Sequence, residues 1–134
     1  MTISTVAALQ LGSHPDGKHQ TLEAILAYES EIKHSGAQLV VMPEALLGGY
    51  PKGEIFGTYL GYRLPEGRET FARYFANAID VPGAETAQLA GLAERTGAHL
   101  VVGVIERSGS SLFCSALFFS PEEGLVGNHR KLMP

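Results

Sequence analysis

A chain of 134 residues with 45% hydrophobic and 18% charged side chains holds enough apolar material for one domain core and not for two. Ten basic against 14 acidic residues leave a net charge of -4, and no Lys/Arg cluster is dense enough to follow a phosphate backbone, so nucleic acid is excluded as the expected partner. The single cysteine, Cys114, cannot close an internal disulfide, and Met1 to Thr5 carries no basic stretch ahead of a long apolar run; the expectation is a cytoplasmic protein, away from membranes.

Thr2 to Leu11 reads as a strand, and a loop bearing Gly, Pro and Asp leads from it into an amphipathic helix over about Gln20 to Ser35. Leu22, Ile25, Leu26 and Ile32 share one face of that helix, and Gly36 ends it. Gln38 to Met42 is a second strand, closed by Pro43, which has no N–H to give to a ladder. A long loop runs through Pro65, followed by helices over Arg68 to Ala78 and Ala84 to Thr96, the latter with Leu89, Leu92 and Ala93 on one face and Gly97 as its stop. Val101 to Glu106, Leu112 to Ser120 and Leu125 to Arg130 are strands, the last two joined as a hairpin by Pro121-Glu122-Glu123-Gly124.

In the Leu112 to Ser120 strand, Leu112, Cys114, Ala116 and Phe118 point one way and Phe113, Leu117 and Phe119 the other. Leu39 to Met42 and Leu100 to Ile105 are apolar on both faces too, which predicts a sheet covered on both sides, by helices or by helices and a second sheet.

Gly12-Ser13-His14-Pro15-Asp16-Gly17-Lys18 has the spacing of a phosphate-binding loop between a strand and a helix. His19 stands where such a loop needs Ser or Thr for magnesium, and Pro15 removes a cradling amide, so the segment is read as a helix start. His14, His19, His34, His99 and His129 are too scattered for ligand spacing, so no metal and no cofactor are expected.

Glu44 follows a buried strand directly, in Val40-Val41-Met42-Pro43-Glu44-Ala45-Leu46-Leu47-Gly48-Gly49-Tyr50-Pro51. A carboxylate on such a rigid element suits a general base, and partial burial is expected to raise its pKa. Lys131 follows the last strand in His129-Arg130-Lys131-Leu132-Met133-Pro134, where an ammonium could stabilise charge building on a reacting nitrogen or oxygen. His129 and Arg130 are expected to position the strand.

These two segments resemble the first two catalytic motifs of the carbon-nitrogen hydrolase (nitrilase) superfamily, and Gly-Tyr-Pro after the glutamate resembles its nitrilase branch. The resemblance implies an α/β fold, the N-terminal part of a four-layer α-β-β-α sandwich with active-site residues at strand ends. It implies Glu44 as general base and Lys131 in charge stabilisation and proton transfer. The family's nucleophile comes after the lysine motif, typically in Cys-Trp-Glu, and this chain has no tryptophan. A second, downstream glutamate of the family is also missing. Cys114 lies mid-strand in an apolar run and is expected to be an inert buried thiol.

The resemblance therefore casts residues 1–134 as a partial carbon-nitrogen hydrolase domain, a fragment truncated before its nucleophile and inactive alone. The complete enzyme would convert a small nitrile to carboxylic acid and ammonia. Alternatives are an amidase or carbamoylase of the same superfamily acting on an amide, and a non-catalytic split-gene stub that pairs with a partner chain. Homo-oligomers are common in the family, so the expected macromolecular partner is a second copy or a complementing chain.

Overall fold

The computed structural model describes residues 3–59 and 61–133; the expected strand start at Thr2 and the terminal Pro134 lie outside them. Three strands run parallel: β1 (Val6–Ala8), β2 (Leu39–Val41) and the start of β6 (His99–Ser108). From β6 the chain meanders antiparallel through β7 (Ser111–Ser120) and β8 (Gly124–Arg130), giving the order β1-β2-β6-β7-β8. A short β5 (Ile79–Asp80) lies parallel to the far end of β6. Four helices among the described residues accompany them: α1 (Lys18–Leu26), α2 (Glu29–Ser35), α3 (Glu66–Asn77) and α4 (Ala84–Thr96).

The core follows from strand alternation. Leu100, Val102 and Val104 of β6 and Leu117 and Phe119 of β7 point to one face, where they meet Leu22, Ile25, Ile32, Leu89 and Leu92 of the helices. Each fully buried leucine there contributes about 1.5–3 kcal/mol. Gly97 ends α4 at φ 70 and Gly36 ends α2 at φ 66, both in the left-handed region that glycine enters without a Cβ penalty.

The opposite face is different. Val6, Val41 and Phe118 lie on it at 65%, 42% and 39% exposure, so among the described residues the predicted covering of this face is present only around Ile105, beneath Ala45 and Tyr74. One helix layer on one sheet corresponds to half of an α-β-β-α sandwich, with much of the apolar face bare where a second sheet would lie.

Three other expectations change. The helix read over Gln20 to Ser35 is two helices, parted where the Tyr28 N–H turns back to Ile25 O at 3.1 Å and Tyr28 takes φ −83, ψ 4. Ile25 and Ile32, on either side of that tight turn, are buried in the same core. The third helix begins at Glu66, ahead of Arg68. Within the long loop, β3 (Thr58–Tyr59) and β4 (Tyr62–Arg63) form an antiparallel ribbon whose Tyr59 and Tyr62 rings stack at 5.4 Å.

Candidate active site

The stretch of β6 beyond its pairing with β2 organises the site. The N–H of Met42 donates to Val101 O (2.9 Å) as the chain leaves β2, and the chain returns to β6 at Leu47, whose N–H donates to Gly103 O (3.2 Å) and whose carbonyl accepts from Ile105 N–H (2.7 Å). Pro43, Glu44 and Ala45 form the corner between these two pairings. Ala45 turns it at φ 51, a left-handed conformation that costs a residue with a Cβ on the order of 1 kcal/mol. The corner lies so close to β6 that a Cβ at Gly103 would run into the Pro43 carbonyl and the Glu44 Cα. Gly48, at φ 108, is pressed likewise against Ile105. Ser13 Oγ donates to Leu46 O (2.8 Å) and Asn77 Nδ2 to Gly48 O (3.0 Å), which ties the loop down from two sides.

Lys131 arrives from the other direction. Ser115 and Arg130 are register partners across β7 and β8, and just beyond them the Lys131 N–H donates to Cys114 O at 2.8 Å. Cys114 and Lys131 thus project from the face opposite the helices, over which Glu44 stands. Lys131 Nζ donates to Glu44 Oε1 at 2.8 Å, and the Cys114 thiol donates to the same oxygen at 3.3 Å. One carboxylate oxygen therefore holds an ammonium and a thiol drawn from two other strands.

The electrostatics correct two expectations. Glu44 is about half exposed, and the Lys131 ammonium, with smaller help from the Cys114 thiol, holds its pKa below the ordinary glutamate value. The expected rise through burial is overridden because a short charge-assisted bond outweighs partial desolvation. Lys131 is held above the usual lysine range by the same bond. Cys114 is only half-buried: with Leu112 it packs against the apolar group around Ile105, as expected of an apolar strand, but its thiol also meets Glu44 from a distant loop. Burial, then the Glu44 carboxylate, pushes its pKa up, which keeps it a thiol and agrees with a group of low nucleophilicity.

Glu44 and Cys114 line a cleft of about 480 Å³ whose other walls include Tyr50, Phe71, Tyr74 and Leu112. Burial pushes the Tyr74 phenol up to about 12, so it faces the cleft as a neutral hydroxyl. The arrangement provides an ionised base, a cation 2.8 Å away and an apolar recess beside them.

Residues 5–134 match the carbon-nitrogen hydrolase family. The chain belongs to that family. An aliphatic nitrilase from Sinorhizobium fredii (strain HH103) is 48% identical over 134 residues, all of this chain and 43% of the relative. Nitrilase 2 from Arabidopsis thaliana is 44% identical over 99% of this chain and 39% of its own length. An amidase from Nesterenkonia sp. superposes with a TM-score of 0.65 at 18% identity, over 97% of this chain and 43% of that one, a likeness in fold. The chain spans about two fifths of the length of the curated relatives it matches.

In this carbon-nitrogen hydrolase chain, Lys18 and Arg130, both singled out in the sequence, have structural roles. The loop from Gly12 to Lys18 makes no phosphate cradle: the Lys18 N–H donates to Asn77 Oδ1 (2.7 Å), while its ammonium donates to Ala78 O (2.9 Å) and pairs with Glu85 (3.2 Å). Asn77 thus holds the start of α1 and the Glu44 loop together. Arg130 points to the helix side, away from Glu44, and pairs with Glu106. No helix among the described residues is long and apolar enough to cross a membrane, and no group of three or more His, Cys, Asp or Glu among them is placed to hold a metal.

The sequence reading missed Glu106 and Asn77. Glu106 had a signal, a carboxylate within an otherwise apolar strand; Asn77, at a helix end, had none.

Proposed function

We propose that this chain supplies the general base and the cation of a nitrile-hydrolysing enzyme whose nucleophilic cysteine lies outside these 134 residues. The observation that carries the reading is the Lys131–Glu44 contact of 2.8 Å, between residues 87 apart in the chain, beside an apolar cleft that Glu44 lines.

In the complete enzyme, Glu44 takes the proton of the incoming thiol, and the thiolate attacks the nitrile carbon to form a thioimidate. Lys131 faces the nitrogen on which negative charge develops and stabilises it. Water then adds, ammonia departs, and a second water releases the carboxylic acid. A low Glu44 pKa keeps the base ionised, and covering the site with the remainder of the protein would strip water from it and strengthen it as a base. Cys114 is not the nucleophile in this scheme: it lies in the middle of β7, ahead of Lys131, whereas the nucleophile of the family follows the lysine motif. The 134-residue chain alone is therefore inactive.

The test offers benzonitrile and benzamide to the complete protein and to residues 1–134, and follows ammonia. Faster release from the nitrile by the complete protein, with none from the shorter chain, is expected. Faster release from benzamide would assign the chain to an amidase or carbamoylase instead.

A further inference from the structure

On the helix side of the sheet, directly behind the Lys131–Glu44 couple, Glu106 is buried at 1% exposure and takes part in no step of the proposed reaction. Its carboxylate accepts four hydrogen bonds: from Ser115 Oγ at 2.8 Å, Asn128 Nδ2 at 3.0 Å, and Arg130 Nε and Nη2 at 3.0 and 2.6 Å. The Arg130 guanidinium also lies 4.0 Å over the Phe113 ring. Every donor comes from β7 or β8, so one carboxylate on β6 grips both following strands.

The placement of those donors matters more than their number. Ser115 and Arg130 are register partners, and each is the chain neighbour of a residue that touches Glu44: Cys114 and Lys131. Strand side chains alternate between faces, so fixing Ser115 and Arg130 on the helix side fixes Cys114 and Lys131 on the other. Beyond Arg130, among the described residues, one backbone bond, Lys131 N–H to Cys114 O, carries the register onward. A strand end held that lightly frays unless its last side chain is anchored.

We propose that Glu106 is a positioning residue: by clamping Arg130 and Ser115 behind the sheet, it sets the height and register at which Lys131 Nζ meets Glu44. Its catalytic consequence rests on the function proposed above; the geometric claim does not.

The test compares the complete protein with its Glu106→Gln variant, which keeps the side chain's shape and removes its charge. With benzonitrile, kcat falls about tenfold or more while KM stays within about twofold, the pattern of a displaced catalytic group. The acid limb of the kcat/KM profile moves to higher pH, since a loosened Lys131 no longer holds the Glu44 carboxyl below its ordinary value. Amide exchange rises over residues 125–133 and not over α4. A lowered Tm with the acid limb unmoved would mean a purely structural ion pair and would overturn the proposal. Arg130→Lys, which keeps the charge and loses the two-pronged hold, is read in the same way if Glu106→Gln does not fold. Should the wild-type protein act on neither benzonitrile nor benzamide, the proposed function fails, and a carboxyl ¹³C titration of Glu44 decides alone. An upward shift of its midpoint in Glu106→Gln upholds the positioning; an unmoved midpoint removes it.

Discussion

Gly103 carries no reactive group, yet the site geometry depends on it. A methyl group there would stand 2.5 Å from the Glu44 Cα and closer still to the Pro43 carbonyl. Ordinary carbon–carbon contact is about 3.5 Å, so in Gly103→Ala the Pro43–Ala45 corner retreats by roughly 1 Å. The corner has little freedom to absorb this, because Met42 and Leu47 on either side are bonded to β6 and Ser13 holds Leu46. Strain of this kind costs about 1–3 kcal/mol of stability. A shift of about 1 Å also takes Glu44 out of hydrogen-bond range of Lys131, and misplacement on that scale costs about a hundredfold in rate. The assay is urea unfolding for the stability term and ammonia release from benzonitrile by the complete protein for the rate term. Wild-type turnover in Gly103→Ala would refute the claim that this close approach fixes the carboxylate.

Other perturbations separate the parts of the site. In Lys131→Met the carboxyl titration of Glu44 moves up toward the ordinary glutamate value, because the bond that depresses it is gone; an unmoved midpoint would show that another group sets it. Glu106 titrates at about 2 in the folded chain, against roughly 4.3 for an unperturbed glutamate. Its depressed folded value means that its stabilisation is full above the unfolded pKa and lost as pH falls toward about 2. Acid unfolding of Glu106→Gln is therefore flatter than wild type across that window, and parallel curves would contradict this. Cys114 reacts with iodoacetamide more slowly than free cysteine at pH about 8, since its raised pKa lowers the thiolate fraction. Labelling faster than free cysteine would mark it as an activated nucleophile.

The elements most legible in the sequence were those with a long period and a clear stop. α4 runs from Ala84 to Thr96 as its Leu89, Leu92 and Ala93 stripe and Gly97 indicate, and the β7–β8 hairpin falls where Pro121 to Gly124 marks a turn. The ribbon of Thr58–Tyr59 with Tyr62–Arg63 and the strand at Ile79–Asp80 have two residues per strand, too short to show alternation. The break at Tyr28 has neither Gly nor Pro to announce it, and Ile25 and Ile32 on either side keep the seven-residue spacing of one continuous helix face.

At the site, Glu44 and Lys131 were legible through their flanking motifs, and the structure brings them together across 87 residues of sequence. What could not be read was the consequence of that meeting. Burial was the only influence on Glu44 visible from the chain, and it predicts a raised pKa; the distant ammonium reverses the sign. Cys114 was placed on the correct strand, but the loop that crosses its face is a long-range feature, so its contact with Glu44 was hidden. Glu106 read as a strand end, and only the β6–β7–β8 register reveals that Ser115, Asn128 and Arg130 converge on it.

The central claim is that the Glu44 carboxylate, held by Lys131, is the base for nitrile hydrolysis. Its most direct test is kcat/KM for benzonitrile in the complete protein, as wild type and as Glu44→Gln, with unfolding curves to establish that both are folded. Loss of a positioned general base lowers the rate by about a hundred- to ten-thousandfold, and a fall in that range is the expected result. A folded Glu44→Gln protein whose kcat/KM stays within about threefold of wild type would leave Glu44 without a catalytic role.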